Sequence, residues 1–325
     1  MRALFPIAYL LVSLIFVRAQ DATNAPAPTP SSPPPATAAQ APEFPDLPAP
    51  RSPVPYLDFY LVQLDGQEPG RPMELNIYLP AGRHDPKSLP CVFIAPAGNG
   101  NHGGKVADDD RAEHLPYVKA GFAVVAYELS GSPDDPNKKS YTYGEMTRPV
   151  GEFVKADGGV LNGQNAIDYV LKMVPEVDPT QLYACGHSSA ASVALNLVRA
   201  DKRIRACCAY APQPDYEKWL GDPKWDKFVP GYTAFLAKES PLRHAADFSC
   251  PIYLFHADDD SMVPLANEQA FADALKNAGK QVTFVRVPTG DHYQSMIDKG
   301  IPGGVAFMES LGAKPLVPVV QAVSN

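Results

Sequence analysis

From Pro90 to Gly290 the chain repeats one arrangement, and that arrangement narrows the fold more than any other feature. The runs PCVFIAPAG, FAVVAYELS, LYACGHS, IRACCAYAP, PIYLFHADD and QVTFVRVPTG are short, apolar and nearly free of alternation. A strand with one face in water alternates apolar and polar residues, so runs like these fit strands covered on both faces. Between them stand the helical patterns AEHLPYVKAG, VLNGQNAIDYVLKMV, ASVALNLVRA and NEQAFADALKNAG. Strand and helix in alternation imply a mostly parallel sheet with right-handed crossovers and helices on both faces, an α/β architecture. Ahead of this series, YLDFYLVQLDG and PMELNIYLP do alternate around a turn rich in Gly and Pro, as an antiparallel strand pair would.

The two ends read differently. Residues 1–19 open with one Arg, Arg2, continue in an apolar run and end with a small residue closing Val17-Arg18-Ala19, the pattern of a secretory signal peptide. A membrane anchor is the other reading, but the run falls short of the roughly 20 residues that span a bilayer. A cleaved leader implies a secreted or periplasmic protein with no stable membrane insertion. Residues 20–54 are dominated by Pro, Ala, Thr and Ser; they cannot bury enough apolar surface to offset chain entropy and read as a disordered linker. Residues 55–315 are then the folded domain and residues 316–325 a tail.

Composition excludes some classes. The formal net charge is −8, and no Lys/Arg run interleaved with aromatics could neutralise a phosphate backbone, so no nucleic-acid partner is expected. Five cysteines cannot all pair with one another. Cys91, Cys185, Cys207 and Cys208 lie in or beside apolar runs and Cys250 stands just before one, which suits buried thiols acting as small hydrophobes; a disulfide stays open in an oxidising compartment. Without a C-x-x-C pair, no metal site is expected.

In open α/β sheets, ligands sit at the carboxyl ends of the strands. CGHSSA stands at such a place, a G-x-S-x-G elbow with Ala190 in the last position, where small residues let strand and helix approach around Ser188. A structural turn is the competing reading until two further loops are considered. The strand PIYLFH runs into Asp258, Asp259 and Asp260, and the last strand runs into His292. Serine, aspartate and histidine in that order, each after a strand, suit nucleophilic catalysis with a base and its orienting acid. Of seven histidines, only His292 follows both the aspartates and the last apolar strand; His187 is expected to line the elbow.

GHSSA, FHADDDSMVP and GDH resemble the α/β-hydrolase superfamily, in particular its dienelactone hydrolase, acetyl xylan esterase and prolyl oligopeptidase-like branch, over roughly residues 56–312. The resemblance implies the α/β-hydrolase fold and a serine hydrolase that works through an acyl-enzyme without a cofactor. The branch's acid pattern, H-G-x-x-D-x-x-V-P, is matched by His256 to Pro264 with Ala257 in place of Gly. That register implies Asp260 as the acid and leaves Asp258 and Asp259 as turn or solvent residues. The oxyanion donors implied are the backbone N–H of Ser189 and one near Gly98 or Asn99. The branch often carries His-Gly-Gly there and this chain has Pro96-Ala97-Gly98, which leaves the second donor open. Carboxylic esters, including acyl groups on polysaccharides, are the expected substrates, with short peptides as the alternative. In the resembling peptidases a β-propeller commonly filters the substrate, and no repeat array is legible ahead of this domain.

Three other features compete for a role. GNGNHG, Gly98 to Gly103, is formally a G-x-G-x-x-G after a strand, with Glu128 ending the next strand, as in a dinucleotide-binding oxidoreductase. The acidic stretch KVADDDR that follows would repel a pyrophosphate and reads as a solvated loop rather than a cation site. The segment from Gln213 to Asp247 holds both tryptophans and reads as a small aromatic insertion, a candidate lid or plain packing against the sheet. A hydrolase-like binding protein without activity is the remaining alternative.

Overall fold

A computed structural model describes residues 44–65, 73–98, 100–135, 138 and 140–315. The expected signal peptide, the linker up to residue 43, Asn99 and the tail 316–325 lie outside the described residues. The chain divides into two units, residues 1–42 and Glu43–Asn325, and the second holds the sheet.

Its strands are β1 (Arg51–Val54), β2 (Leu57–Leu64), β3 (Met73–Pro80), β4 (Leu89–Ile94), β5 (Ala123–Tyr127), β6 (Val177–His187), β7 (Ile204–Tyr210), β8 (Ile252–Ala257) and β9 (Val282–Val287). They form one sheet in the order β1-β2-β3-β5-β4-β6-β7-β8-β9. The first three strands are antiparallel, with β2 and β3 in unbroken register from Leu57↔Pro80 to Leu64↔Met73. β3 meets β5 antiparallel, and every later pairing is parallel. The apolar runs alternate between two cores: Phe93, Val125, Leu182, Cys207 and Leu254 face one side, Val92, Val124, Tyr183, Cys208 and Tyr253 the other. Helices α2 (Tyr143–Lys155), α3 (Val160–Met173), α4 (Ser189–Ala200) and α7 (Leu265–Asn277) cover the first core. Helices α1 (Arg111–Lys119) and α8 (Ile301–Ser310) cover the second. This is the architecture of the α/β-hydrolase fold, with β4, β5 and β8 buried along their whole length.

Three expectations are corrected. The linker does not extend to residue 54: Arg51–Val54 pairs with β2, and Phe44 lies edge-on against Tyr169 with centroids 5.5 Å apart. β1 is an edge strand, where a proline costs no ladder bond on the open side. β9 is not covered on both faces, because it closes the opposite edge and stays half-exposed. Helix α2 had no place in the helical series because Gly144, Pro149 and Gly151 interrupt its pattern. Its start is nonetheless fixed by a capping box between Thr142 and Glu145. The cysteines are all free, and four are fully buried; burial pushes the Cys207 and Cys208 thiols well up, as expected of inert packing groups.

Candidate active site

Strand β6 ends at His187 and helix α4 begins at Ser189, so the chain must reverse within Ser188. It does so at φ 54° and ψ −121°, a conformation that side chains rarely adopt. The Ser188 N–H is tied to the Tyr210 carbonyl of β7 at 2.8 Å. At Gly186 a Cβ would stand 2.5 Å from the Ala190 carbonyl carbon and oxygen. Only glycine allows strand and helix to close so tightly, which is what the small residues in the motif signal.

The loops after β8 and β9 meet. His292 Nδ1–H donates to Asp260 Oδ2 at 2.8 Å, while Asp260 Oδ1 accepts the N–H groups of Met262 and Val263, both at 2.8 Å. Burial works to raise the Asp260 carboxyl, but the bonds from His292, Val263 and Met262 outweigh it and leave it below its ordinary value. The two neighbouring aspartates join the loops. Asp259 accepts the Asp291 N–H at 2.8 Å and the Gly290 N–H at 3.2 Å, and Asp291 accepts the Ser261 N–H at 2.8 Å. Asp258 binds Arg286 at 2.8 Å. Asp258 and Asp259 are therefore fasteners for the loop that carries His292, not idle turn residues.

Sequence reasoning left His187 outside this machinery, yet it touches it. Its Nε2–H donates to the His292 carbonyl at 3.0 Å, the two rings lie 4.4 Å apart, and Glu113 Oε1 stands 3.7 Å from its Nδ1. Three other histidines are occupied elsewhere: His84 at the Pro80 carbonyl, His102 at the Gly103 carbonyl, His244 at Asp247. His114 is buried without a partner at Nδ1, and desolvation pushes it down to about 3, so it stays neutral.

Beside the elbow, Ser189, Gly100, His102, Leu129, Phe153, Val193, Tyr216 and Trp219 line a small hollow that opens to solvent. The glycine loop thus faces Ser189 across a mostly apolar hollow. Gly98 sits in this loop at φ 82°, and its neighbour Asn99 is outside the described residues. The loop does not open a helix, since α1 starts only at Arg111, and Glu128 is engaged with the Glu74 N–H at 3.1 Å. The structural context that a dinucleotide fingerprint needs is therefore missing. The aromatic insertion consists of the short helices α5 (Tyr216–Leu220) and α6 (Tyr232–Glu239) joined by helical turns. Tyr216 and Tyr232 are buried beneath it and Trp219 forms a wall of the hollow. Among the described residues no group of three His, Cys, Asp or Glu is placed to hold a metal, and no helix is long and apolar enough to cross a membrane.

Comparison with known proteins agrees with the fold. The fold is similar to an acetyl xylan esterase from Paenibacillus sp. R4 (TM-score 0.60, 18% identity, covering 79% of this chain and 85% of that one). It is similar also to the acylaminoacyl peptidase of Pyrococcus horikoshii (TM-score 0.58, 17% identity, covering 80% of this chain and 42% of that one). In sequence, 187 residues are 26% identical to the uncharacterized peptidase YuxL of Bacillus subtilis (strain 168), a match covering 53% of this chain and 26% of that protein. The chain thus spans about a quarter of that relative's length. Residues 79–293, more than half of the sequence, match the dienelactone hydrolase family, and the chain belongs to that family.

Proposed function

We propose that the protein is an exported serine hydrolase that cleaves carboxylic esters, with Ser188 as nucleophile, His292 as general base and Asp260 as the acid that orients it. The observation that supports this most is the 2.8 Å bond from His292 to Asp260, on loops at the same sheet end as a serine held at positive φ. With Nδ1–H given to Asp260, the His292 lone pair lies on Nε2, the nitrogen that would take the proton of an attacking hydroxyl. Ser188 Oγ bonds to the acyl carbon, and the tetrahedral intermediate expels the alcohol, which leaves with the proton from His292. Water then attacks the acyl-enzyme by the same route and releases the acid. Asp260 stays ionised and stabilises the imidazolium throughout.

The oxyanion is assigned to the Ser189 N–H, in the first turn of α4 where the helix dipole favours negative charge, together with a second N–H from Gly98 or Asn99. Leu129, Phe153, Val193 and Trp219 offer an apolar wall beside the elbow against which an acyl chain would lie. The leader pattern at residues 1–19 supports export to the periplasm or beyond. The Bacillus and Pyrococcus relatives are peptidases by name, and they support a second reading, cleavage of short peptides by the same three residues.

The test is fluorophosphonate labelling of the purified chain beside Ser188→Ala, with turnover of p-nitrophenyl acetate and of aminoacyl p-nitroanilides in the same samples. Labelling and ester turnover that both vanish in the variant are expected. Turnover of anilides but not esters would transfer the reading to peptides, and a folded wild type that neither labels nor turns over would leave a binding protein.

A further inference from the structure

Asp260 has a second imidazole against it. His256, near the end of β8, places Nε2 3.4 Å from Asp260 Oδ2, the oxygen that also receives His292, and 3.0 Å from the Val263 carbonyl oxygen. Its other nitrogen, Nδ1, is hydrogen-bonded to Oε2 of Glu268 from α7. Both side chains are fully buried.

The protons can be counted from these contacts. Nε2 faces only acceptors, a carbonyl and a carboxylate, so it must carry a hydrogen. One further proton then lies between Nδ1 and Oε2, because two bare lone pairs would repel at hydrogen-bond distance. It belongs either to a neutral acid beside a neutral imidazole or to a carboxylate beside an imidazolium. Replacing such a buried pair with apolar groups is often neutral or stabilising, so packing alone does not call for it here.

We propose that His256 and Glu268 are positioning residues for the reaction: a buried pair sharing one proton, whose Nε2–H faces Asp260 and sets how tightly Asp260 holds the proton on His292. This rests on the reading of Asp260 and His292 as acid and base. With the shared proton on His256, Asp260 faces an imidazolium, and part of its charge is compensated from behind. With the proton on Glu268, Asp260 faces only a neutral N–H, and its full charge is available to His292 as that ring becomes cationic. Burial pushes the Glu268 carboxyl up to about 7 against the pull of His256. Burial works to lower His256, but Glu268 outweighs it and leaves the ring raised. Both shifts keep the proton inside the pair near neutral pH.

The groups around the pair are engaged among themselves. Beyond Asp260 and His292, Arg286 of β9 binds Asp258, His244 binds Asp247 in the turn packed against α7, and Asp259 and Asp291 hold backbone N–H groups. Tyr253 of β8, raised chiefly by burial, also feels the Glu268 charge.

Glu268→Gln supplies an amide donor to Nδ1 and fixes His256 as the neutral Nε2–H form. Asp260 then loses its compensation, His292 holds its proton more tightly, and the acid limb of the rate profile moves to higher pH. The experiment follows fluorophosphonate labelling and p-nitrophenyl acetate turnover against pH for wild type, Glu268→Gln and Glu268→Asp. The expected result is an acid-limb midpoint raised by about half a pH unit in Glu268→Gln, roughly a threefold loss on that limb. The loss should shrink as pH rises and fall on kcat rather than KM, with Glu268→Asp returning toward wild type. Coincident acid limbs in a folded Glu268→Gln would overturn the proposal. If that variant does not fold, the wild type decides by nitrogen-15 histidine spectra: a far-downfield proton on His256 Nδ1 supports the shared proton, and its absence overturns it. A wild type that labels at no pH would sink the hydrolase reading instead, while the same spectra still report on the pair.

Discussion

Ser188 keeps its strained backbone because both of its sides are held. Its N–H is bound to β7, and its own carbonyl accepts the Ala191 N–H of α4 at 3.1 Å. Such strain persists only where the surroundings over-determine it, and here it lifts one hydroxyl clear of the chain at the sheet's carboxyl end. At the acid, Asp260→Asn should preserve fold and labelling stoichiometry yet cut kcat by roughly 10³–10⁴-fold, since an amide presents the wrong partner to the His292 tautomer. Steady-state ester kinetics check this, and a loss below tenfold would remove Asp260 from the machinery. Residues at this scale differed in how far the sequence disclosed them. The pattern around Ser188, Asp260 and His292 places each after a strand, but no pattern says what the ring of His187 touches. Glu268 could have been suspected: with Phe271, Ala272 and Leu275 it lies at i, i+3, i+4 and i+7, on the buried stripe of α7. A carboxylate on that stripe requires a buried partner.

At the scale of elements, the insertion between β7 and β8 does more than cover the sheet. Trp219 leans edge-on against buried Tyr216 at 5.8 Å and forms a wall of the hollow, while Trp225 meets Tyr143 and Phe228. Trp219→Ala should enlarge the hollow, raising the ratio of hexanoyl to acetyl ester turnover at least about tenfold. A p-nitrophenyl ester series reads this directly, and equal losses on every chain length would make Trp219 a packing residue only. The parallel strands and their crossover helices were legible because their periodicities agree with their burial. β1 and α2 were not, for opposite reasons. β1 hides in a proline-rich tract whose composition argues against pairing, and only its edge position makes it tolerable. α2 carries a plain start signal in Thr142 and Glu145, but its glycines and proline blur the pattern that follows.

For the whole molecule, acidity acts on folding from two sides. The Asp260 carboxyl is lower in the folded chain than the ordinary value, so its contribution is present above about pH 4 and is lost as pH falls through the folded value. His256 is raised, so its contribution is complete below about 6.5 and is lost as pH rises through its folded value. Thermal melts across pH should show a plateau between these limits, with Asp260→Asn flattening the acid slope and Glu268→Gln the alkaline one. Unchanged slopes in both variants would show that other groups govern the profile.

The sheet also distributes the machinery unevenly. The serine rises from β6, well inside the nine strands, whereas the histidine hangs from β9, which is bonded on one side only and half-exposed. Detaching that one ribbon would carry off the proposed base while leaving the main core intact, and edge elements of this kind are among the first to open. In rising urea, ester turnover should therefore fade before far-ultraviolet ellipticity does, with β9 amides exchanging ahead of those in β4 and β6. Coincident loss of both signals would mean that the edge is locked to the centre. A gap between them would mark a protein whose working life ends by fraying rather than by melting.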